Sequence, residues 1–426
     1  MMGPSILFVL CMMCLVSHSE QHRRYLLYDC NPGEGFNLRR DVYMRIANLV
    51  KSLRTDSKCA KEDWVLVLPP WGRIGYHWKE QDMEQSKIPW SKFFDVGSLN
   101  SFVPVMEFEE YVEEIGEPVI DEVWYLQGYS EGWSSGSWEE KMHERPCIDP
   151  PAYESDYDGK MRGWFWGYHE TYTNKFKCVS VQGQSSTFVG PLCGGNTSAT
   201  SILLDRGENV LHDMFGGKNY WDCRRSMVFA KVLRDEADKF RREYLDSNDE
   251  KDKTVMPANW KDNKCKEGDA IGGPYIGVHL RRKDFVHVRK DYVPSLQVVA
   301  TALKQKMAEL KINKVFVASD GTKEEMKELK KLVPEIVMYQ PTKEKLKEFK
   351  MGGVAIIDQI ICSKARYFLG TKESTFSFRI QEEREIMCFR KDTTFNRICT
   401  GSEPTDCEQP TRWKIVWHSD QEIWEE

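Results

Sequence analysis

The sequence predicts an α/β protein built as two strand-and-helix halves that face each other across a cleft. Three observations carry this. A strand, a glycine loop and a helix open the chain over Tyr25–Leu53. A regular strand–helix alternation fills Gly273–Phe378. A polar, charge-dense stretch, Ser247–Ala270, separates the two. Strand–helix repeats of this length imply parallel sheets with right-handed crossovers.

The first half begins with an apolar run, Tyr25–Tyr28, broken by Asn31, Pro32, Gly33 and Gly35. From Leu38 the apolar residues return at helical spacing, as Leu38, Val42, Ile46, Val50 and Leu53. A helix that opens after a glycine loop can hold an anion at its N-terminus. Here a carboxylate, Glu34, sits between the two glycines. A loop built only for phosphate gains nothing from that charge, whereas a base taking a proton from an incoming nucleophile fits it. A second strand, Trp64–Leu68, ends at Pro69-Pro70, and an aromatic loop with Trp71, Arg73, Tyr76, His77 and Trp78 follows. Phe102–Met106 and Val119–Leu126 read as strands, and acidic Glu107–Glu122 as a solvated face. Ser130–Gly194 reads as irregular, Ala199–Leu211 as helical, and Trp221–Tyr244 as one strong helix.

In the second half, Gly273–Leu280, Lys314–Ala318, Glu335–Tyr339 and Ala365–Leu369 read as strands. Ser295–Leu310, Thr322–Leu332 and Val354–Ser363 read as helices, and a further helix opens at Ser374.

The 426 residues suffice for two or more domains, and 41% hydrophobic with 30% charged residues is a globular composition. A net charge of −6 speaks against a general nucleic-acid binder. The 14 Trp residues suit a surface that handles sugars, although most read as core. Met1–Ser19 reads as a secretory leader: Ile6–Val16 is its apolar core and Ser17 and Ser19 are small residues near the cleavage position. No later stretch approaches the roughly 18 apolar residues of a membrane span. Of 13 cysteines, Cys11 and Cys14 leave with the leader. The remaining odd number requires at least one free thiol, with a pairing that spacing does not reveal. Asn196-Thr197-Ser198 is a glycosylation sequon, and the tail Ile423–Glu426 is not a KDEL-type signal.

Four stretches point at the cleft. The first is the Glu34 loop. The second is His279-Leu280-Arg281-Arg282-Lys283-Asp284 at a strand end, where an Arg fork matches phosphate oxygens. The third is Asp358 in Gly352–Gln359. The fourth is Gly370–Phe378, a strand end followed by hydroxyl residues at a helix start, which favours phosphate. Each also has a plain reading: Glu34 as a helix-start carboxylate, Arg281 and Arg282 as surface ion pairs, Ser374–Ser377 as an N-cap, and Asp358 as a local cap. Together they describe a diphosphate held by the second half and a carboxylate facing it from the first. The chain has one Asp-x-Asp, Asp156-Tyr157-Asp158, and two overlapping Gly-x-Ser-x-Gly, Gly128–Gly132 and Gly132–Gly136, but these lie in or run into the stretch that reads as irregular rather than into a helix; it has no helical His-x-x-x-His and no P-loop. Its Gly33-Glu34-Gly35 lacks the third glycine of a dinucleotide fingerprint, since Leu38 stands there. No metal site is therefore expected, and a sugar-diphosphate leaving group would be neutralised by arginine and helix dipoles.

NPGEGFNLRRD in the opening loop, HLRRKDF at His279–Phe285, GGVAIIDQ at Gly352–Gln359 and STFSFRIQEERE at Ser374–Glu385 closely resemble the GDP-fucose protein O-fucosyltransferases that modify thrombospondin type 1 repeats. The resemblance extends to WVLVLPPWGR, RGWFWGY and RRSMVFA, and covers essentially the whole mature chain. It implies a GT-B fold of two Rossmann-like domains, 20–250 on the acceptor side and 251–426 binding GDP-fucose. It implies a metal-independent, inverting transfer of L-fucose from GDP-fucose to Ser or Thr of folded repeats in the endoplasmic reticulum lumen, with no cofactor.

By the same resemblance Glu34 is the catalytic base, and Gly33, Glu34, Gly35, Phe36 and Asn37 form part of the donor site. Arg281, with His279 and Leu280 beside it, grips the diphosphate. Asp358 meets guanine, Thr375 and Phe376 meet the phosphate and nucleotide, and Glu383 is needed for activity. Cys147–Cys178 and Cys399–Cys407 are the implied bridges, with Cys30 and Cys59 left free or paired locally. Two other readings stand beside this one: a fucosyltransferase with another acceptor (an EGF-like repeat or a glycan), and a folding factor that binds without turnover.

Overall fold

The computed structural model describes residues 22–72, 74, 78, 83–132, 138–193, 195–289, 293–400, 403, 407–411 and 413–420. The expected leader, 1–19, lies outside them, as do Arg73, Tyr76 and His77 of the aromatic loop. In chain order the first nine strands are β1 (His22–Tyr28), β2 (Glu62–Leu68), β3 (Val105–Glu107), β4 (Val119–Gln127), β5 (Lys141–Glu144), β6 (Glu154–Ser155), β7 (Met161–Arg162), β8 (Tyr172–Gln182) and β9 (Ser201–Asp205). They form one sheet in the order β3-β2-β1-β9-β4-β8-β7-β6, with β5 also paired to β8. From β3 to β8 every pairing is parallel, and β5, β6 and β7 add an antiparallel edge. β1 is buried from Arg24 to Tyr28, as expected of a parallel strand covered on both faces.

A second sheet follows, from β10 (Gly273–Leu280), β11 (Val315–Ser319), β12 (Ile336–Val337), β13 (Ala365–Gly370) and β14 (Asn396–Arg397). Its order is β12-β11-β10-β13-β14, all parallel. The chain runs outward from β10 on one side to β11 and β12, then crosses to β13 and β14 on the other. A ligand crevice in such a sheet lies outside the strand C-termini where that reversal occurs. Here the ends are Leu280, Ser319 and Gly370. With its parallel sheets and their helices, the architecture is of the GT-B type.

Several expectations are corrected. Ala199–Leu211 is not helical: Ser201–Leu204 is a buried strand between β1 and β4. A run of four apolar residues carries no periodicity that separates strand from helix, and pairing on both sides decides it. Ser130–Gly194 is not irregular throughout, because β8 is 11 residues long and pairs along β4. Trp221–Tyr244 is two helices, Lys218–Ser226 and Lys231–Tyr244, divided where Phe229 bridges to Phe94. The helix expected at Val354–Ser363 begins at Lys343 and is kinked at Lys350, whose φ is 58°. The acidic stretch is partly as expected: Glu109, Glu110, Glu113 and Glu114 face solvent, while Phe108 and Tyr111 are core.

The polar stretch between the sheets is pinned in place. Buried Arg241 binds Asp249 at 2.6 Å, Asp252 at 2.8 Å and the Ser247 hydroxyl at 3.1 Å. One apolar cluster runs from Leu26 and Val50 in the first half to Phe316, Ile356 and Phe395 in the second. The halves meet closely at Gly352, where a Cβ would fall 2.6 Å from the Phe93 ring. The chain end also crosses back: Trp221 donates to the Lys414 carbonyl at 3.0 Å and Arg225 to that of Val416 at 2.7 Å.

Disulfides join Cys59 to Cys193, Cys147 to Cys178, Cys265 to Cys388 and Cys399 to Cys407. Cys59, expected free or locally paired, thus bridges to a residue 134 positions away. The thiols of Cys30, Cys223 and Cys362 are free and buried.

Candidate active site

A cleft of about 560 Å3 opens between the two sheets. The first half contributes Gly35, Phe36, Asn37 and Trp78; the second contributes the segments that leave β10, β11 and β13, together with the helix Lys343–Ser363.

On the second-half wall, Arg281 follows β10. Its guanidinium pairs with Asp320, which follows β11, and with Asp284 at 2.5 Å. Asp320 was not anticipated, although Ser-Asp-Gly-Thr at a strand end was the available signal. Its other oxygen accepts from the Arg282 amide at 2.6 Å. Arg282 itself turns away to Glu325 at 2.7 Å and does not line the cleft. Of the clustered arginines, then, one faces the ligand space and one is structural.

His279, at the end of β10, is buried and bonds Ser377 Oγ through Nδ1 at 2.8 Å. Burial, then the charge of Arg281, pulls its pKa down to about 3, so the ring is neutral. Phe376 stacks on it with centroids 4.3 Å apart and planes 21° from parallel. The next residue, Leu280, has its side chain in the core and its carbonyl taken by Ser319 at 2.8 Å, and it is not part of the cleft wall.

The helix Thr375–Ile386 starts at the cleft after Ser374, which makes no side-chain cap. Its first amides therefore lack an internal partner, and they carry the positive end of the helix dipole toward Ser374, Thr375 and Phe376, all of which line the cleft. Asp358 also lines it, from the helix Lys343–Ser363. It accepts no hydrogen bond from another described residue, and burial raises its pKa well above the ordinary carboxylate value. A carboxylate in that setting suits two adjacent N–H donors, such as the N1–H and N2–H2 edge of guanine.

On the first-half wall, the loop after β1 is a tight turn in which Glu34 donates its amide to the Asn31 carbonyl at 2.9 Å. Gly33 is exposed there, and Asn31 Oδ1 accepts from its amide at 3.2 Å. The helix Phe36–Thr55 begins after Gly35, which has no side chain to cap it. Phe36 anchors the turn by packing on Trp71, Trp78 and Phe93. Glu34 is half-buried, and buried Arg39 holds its carbonyl at 3.1 Å. Its carboxyl is raised above the usual range by burial and then by the nearby Glu208 charge, against Arg39 and Arg45. Gly35, Phe36 and Asn37 line the cleft directly, while Gly33 and Glu34 adjoin them in the chain.

Glu383 lies elsewhere on its helix. It binds Arg224 at 2.8 Å, and that fully buried arginine also holds Glu382 at 2.5 Å. Asn196 is exposed, with its amide donating to the Gly190 and Cys193 carbonyls. The single Cys/His/Asp/Glu group among the described residues close enough to hold a metal is Cys59, Glu62 and Cys193, whose two sulfurs form a disulfide.

A family model described as GDP-fucose protein O-fucosyltransferase matches residues 25–387. Over 403 residues the chain is 54% identical to GDP-fucose protein O-fucosyltransferase 2 of Homo sapiens, covering 95% of this chain and 92% of that protein. It is 47% identical over 401 residues to the Caenorhabditis elegans protein of the same name, covering 93% and 91%. Among solved structures, POFUT1 in complex with GDP superposes with a TM-score of 0.56 at 16% identity, over 88% of this chain and 98% of that one. POFUT1 in complex with GDP-fucose gives 0.55 at 15% identity, over the same shares. The chain belongs to the GDP-fucose protein O-fucosyltransferase family and is a glycosyltransferase.

Proposed function

We propose that this family member transfers L-fucose from GDP-fucose to Ser or Thr hydroxyls of folded thrombospondin type 1 repeats, with inversion and without a metal, in the endoplasmic reticulum lumen. The observation that carries the reading is the meeting, in one cleft, of Arg281, the uncapped helix start at Thr375 and unpaired Asp358 with the Gly35–Asn37 turn. Guanine docks on Asp358. The diphosphate lies against Arg281 and the amides of Thr375 and Phe376, which stabilise departing GDP as the fucose–phosphate bond breaks. Glu34 takes the acceptor proton as the hydroxyl oxygen attacks the anomeric carbon from the face opposite GDP, which inverts it. A raised carboxylate is the stronger base for that step.

The metal-independent reading rests on cations the wall itself supplies, Arg281 and Lys283, and on the helix terminus. His279, neutral and stacked, shapes the pocket under the diphosphate without adding charge. Glu383 acts through Arg224, bracing the helix whose first turn meets the phosphate. Four disulfides and the exposed sequon at Asn196 suit an oxidising, glycosylating lumen.

The test is a transfer assay with GDP-fucose, chelator present, on a folded thrombospondin type 1 repeat, the same repeat reduced, and a folded EGF-like repeat. Transfer confined to the first supports the reading. Preference for the EGF-like repeat, or equal rates on folded and reduced repeat, overturns the acceptor assignment. Loss of activity with chelator, restored by a divalent ion, overturns metal independence.

A further inference from the structure

Asn37, Arg40 and Gln359 close a triangle of hydrogen bonds across the seam between the halves. Gln359 Nε2 donates to Asn37 Oδ1 at 2.8 Å. Arg40 Nη1 donates to Gln359 Oε1 at 2.9 Å and reaches Asn37 Oδ1 at 3.3 Å. Arg40 and Gln359 are 0% and 1% exposed. Asn37 is different, because it lines the cleft. Its Oδ1 is taken twice from behind. Its Nδ2 donates to no other described residue and is the group left to meet a ligand.

Arg40 is an expensive way to build a core. Its Nε and Nη2 have no hydrogen-bond partner, and its guanidinium lies 5.9, 5.5 and 5.0 Å from the ring centres of Phe36, Phe94 and Phe229. A buried cation without a bonded carboxylate is destabilising, and an apolar side chain of similar volume would serve packing better. Its one set of directed contacts goes to the two amides that set the orientation of Asn37. An amide can sit either way round, and only its partners choose. Gln359 can donate to Oδ1 because Arg40 occupies Oε1.

We propose that Arg40 and Gln359 are positioning residues: they lock the Asn37 amide so that its N–H2 is presented to an oxygen of the sugar diphosphate in the cleft. The inference rests on the GDP-fucose reading above. Gln359 follows Asp358 on the same helix, so the lock also couples the nucleotide side of the cleft to the turn that carries Glu34.

Gln359→Glu tests it. A carboxylate keeps the bond from Arg40 but cannot donate to Asn37 Oδ1, so the Asn37 amide turns its Nδ2 inward. The expected result is an unchanged or higher Tm and kcat/KM for GDP-fucose lowered roughly 100-fold. Asn37→Asp retains both accepted bonds but replaces the outward N–H2 with a negatively charged oxygen; it should fold as well and lose at least as much activity. In an Asn37→Ala background, Gln359→Glu should add no further loss, since no amide remains to be turned. Near-normal turnover by Gln359→Glu, or a second full loss in the Asn37→Ala background, would overturn the positioning role while leaving the activity assignment intact. Failure of the unaltered chain to turn over GDP-fucose would overturn both.

Discussion

Arg281 and Asp320 form an ion pair across the C-terminal edge of the second sheet, joining the residue after β10 to the residue after β11. Neither is held by its own strand alone. Asp320 also accepts from the amide of Arg282, so the carboxylate fixes both the guanidinium and the backbone that carries it. The fork is preorganised at the place where a diphosphate would accumulate charge.

Arg281→Lys should therefore fail almost as completely as Arg281→Ala, each lowering kcat by roughly 1,000-fold or more, because an ammonium keeps the charge but loses the planar two-point grip. Asp320→Asn should cost less, about tenfold in kcat, since shape remains and only the hold on the guanidinium weakens. Steady-state kinetics on the three variants separates these. A fully active Arg281→Lys would show that charge alone suffices.

Glu34→Gln should lower kcat by roughly 100- to 10,000-fold while leaving the Kd for GDP within about threefold. As the proposed base, Glu34 would act as the carboxylate, which is lost as pH falls through its pKa. Burial and the Glu208 charge raise that pKa. The acid limb of the pH–rate profile should therefore lie above the ordinary glutamate value, and Glu208→Gln should move it to lower pH. An acid limb unaffected by Glu208→Gln contradicts the electrostatic assignment.

His279 should stay neutral from pH 8 down to about 4. Its folded pKa, about 3, lies below the value of about 6.5 in an unfolded chain. Its contribution to stability is thus complete above pH 6.5 and lost as pH falls toward 3. At pH 5 that loss amounts to about 2 kcal/mol. His279→Gln, which cannot charge, should flatten the fall in unfolding free energy between pH 6.5 and 4, as measured by denaturant titration at each pH. An imidazole NMR signal that titrates near 6.5 would refute the buried, neutral ring.

Asp358→Ala should cost GDP binding about 1.5–3 kcal/mol and cost the weaker binding of inosine diphosphate less, since hypoxanthine keeps N1–H but lacks the N2 amino group. Calorimetry with both nucleotides reads this directly. Equal losses for the two would mean that Asp358 does not meet the amino edge.

Disulfide Cys59–Cys193 ties the end of the first helix region to the approach to β9. Replacing both cysteines with serine should lower unfolding free energy by about 2–5 kcal/mol without changing the KM for donor, since neither residue lines the cleft.

Much of this was legible in the chain. The strand, turn and helix around Glu34 announce themselves because apolar periodicity changes from a continuous run to 3.6 within one loop, and the turn residues stand between. The run from β10 to β13 is equally plain, because its strands are short and apolar and alternate with helical periodicity, whereas β14, Asn396–Arg397, has no apolar residue to announce it. What misled was local ambiguity. Ser201–Leu204 has the composition of a helix or of a buried strand, and only its neighbours β1 and β4 choose. Strand β8 carries Lys175 and Lys177 among its aromatics and hides its pairing.

The sequence by itself determined the α/β class, the two-sheet division and the short list of residues at strand and helix ends, because periodicity, turn chemistry and helix-start signals act within a few residues. The tertiary structure decided which members of that list meet. Arg281 faces the cleft while Arg282 turns to Glu325, Leu280 is core, and Glu383 is given to Arg224. It also decided the pairing of Cys59 with Cys193 and the lock of Gln359 and Arg40 on Asn37. These depend on side chains more than 100 residues apart arriving within 3 or 4 Å, and no local pattern encodes a distance between elements that only the packing of two sheets on one core establishes.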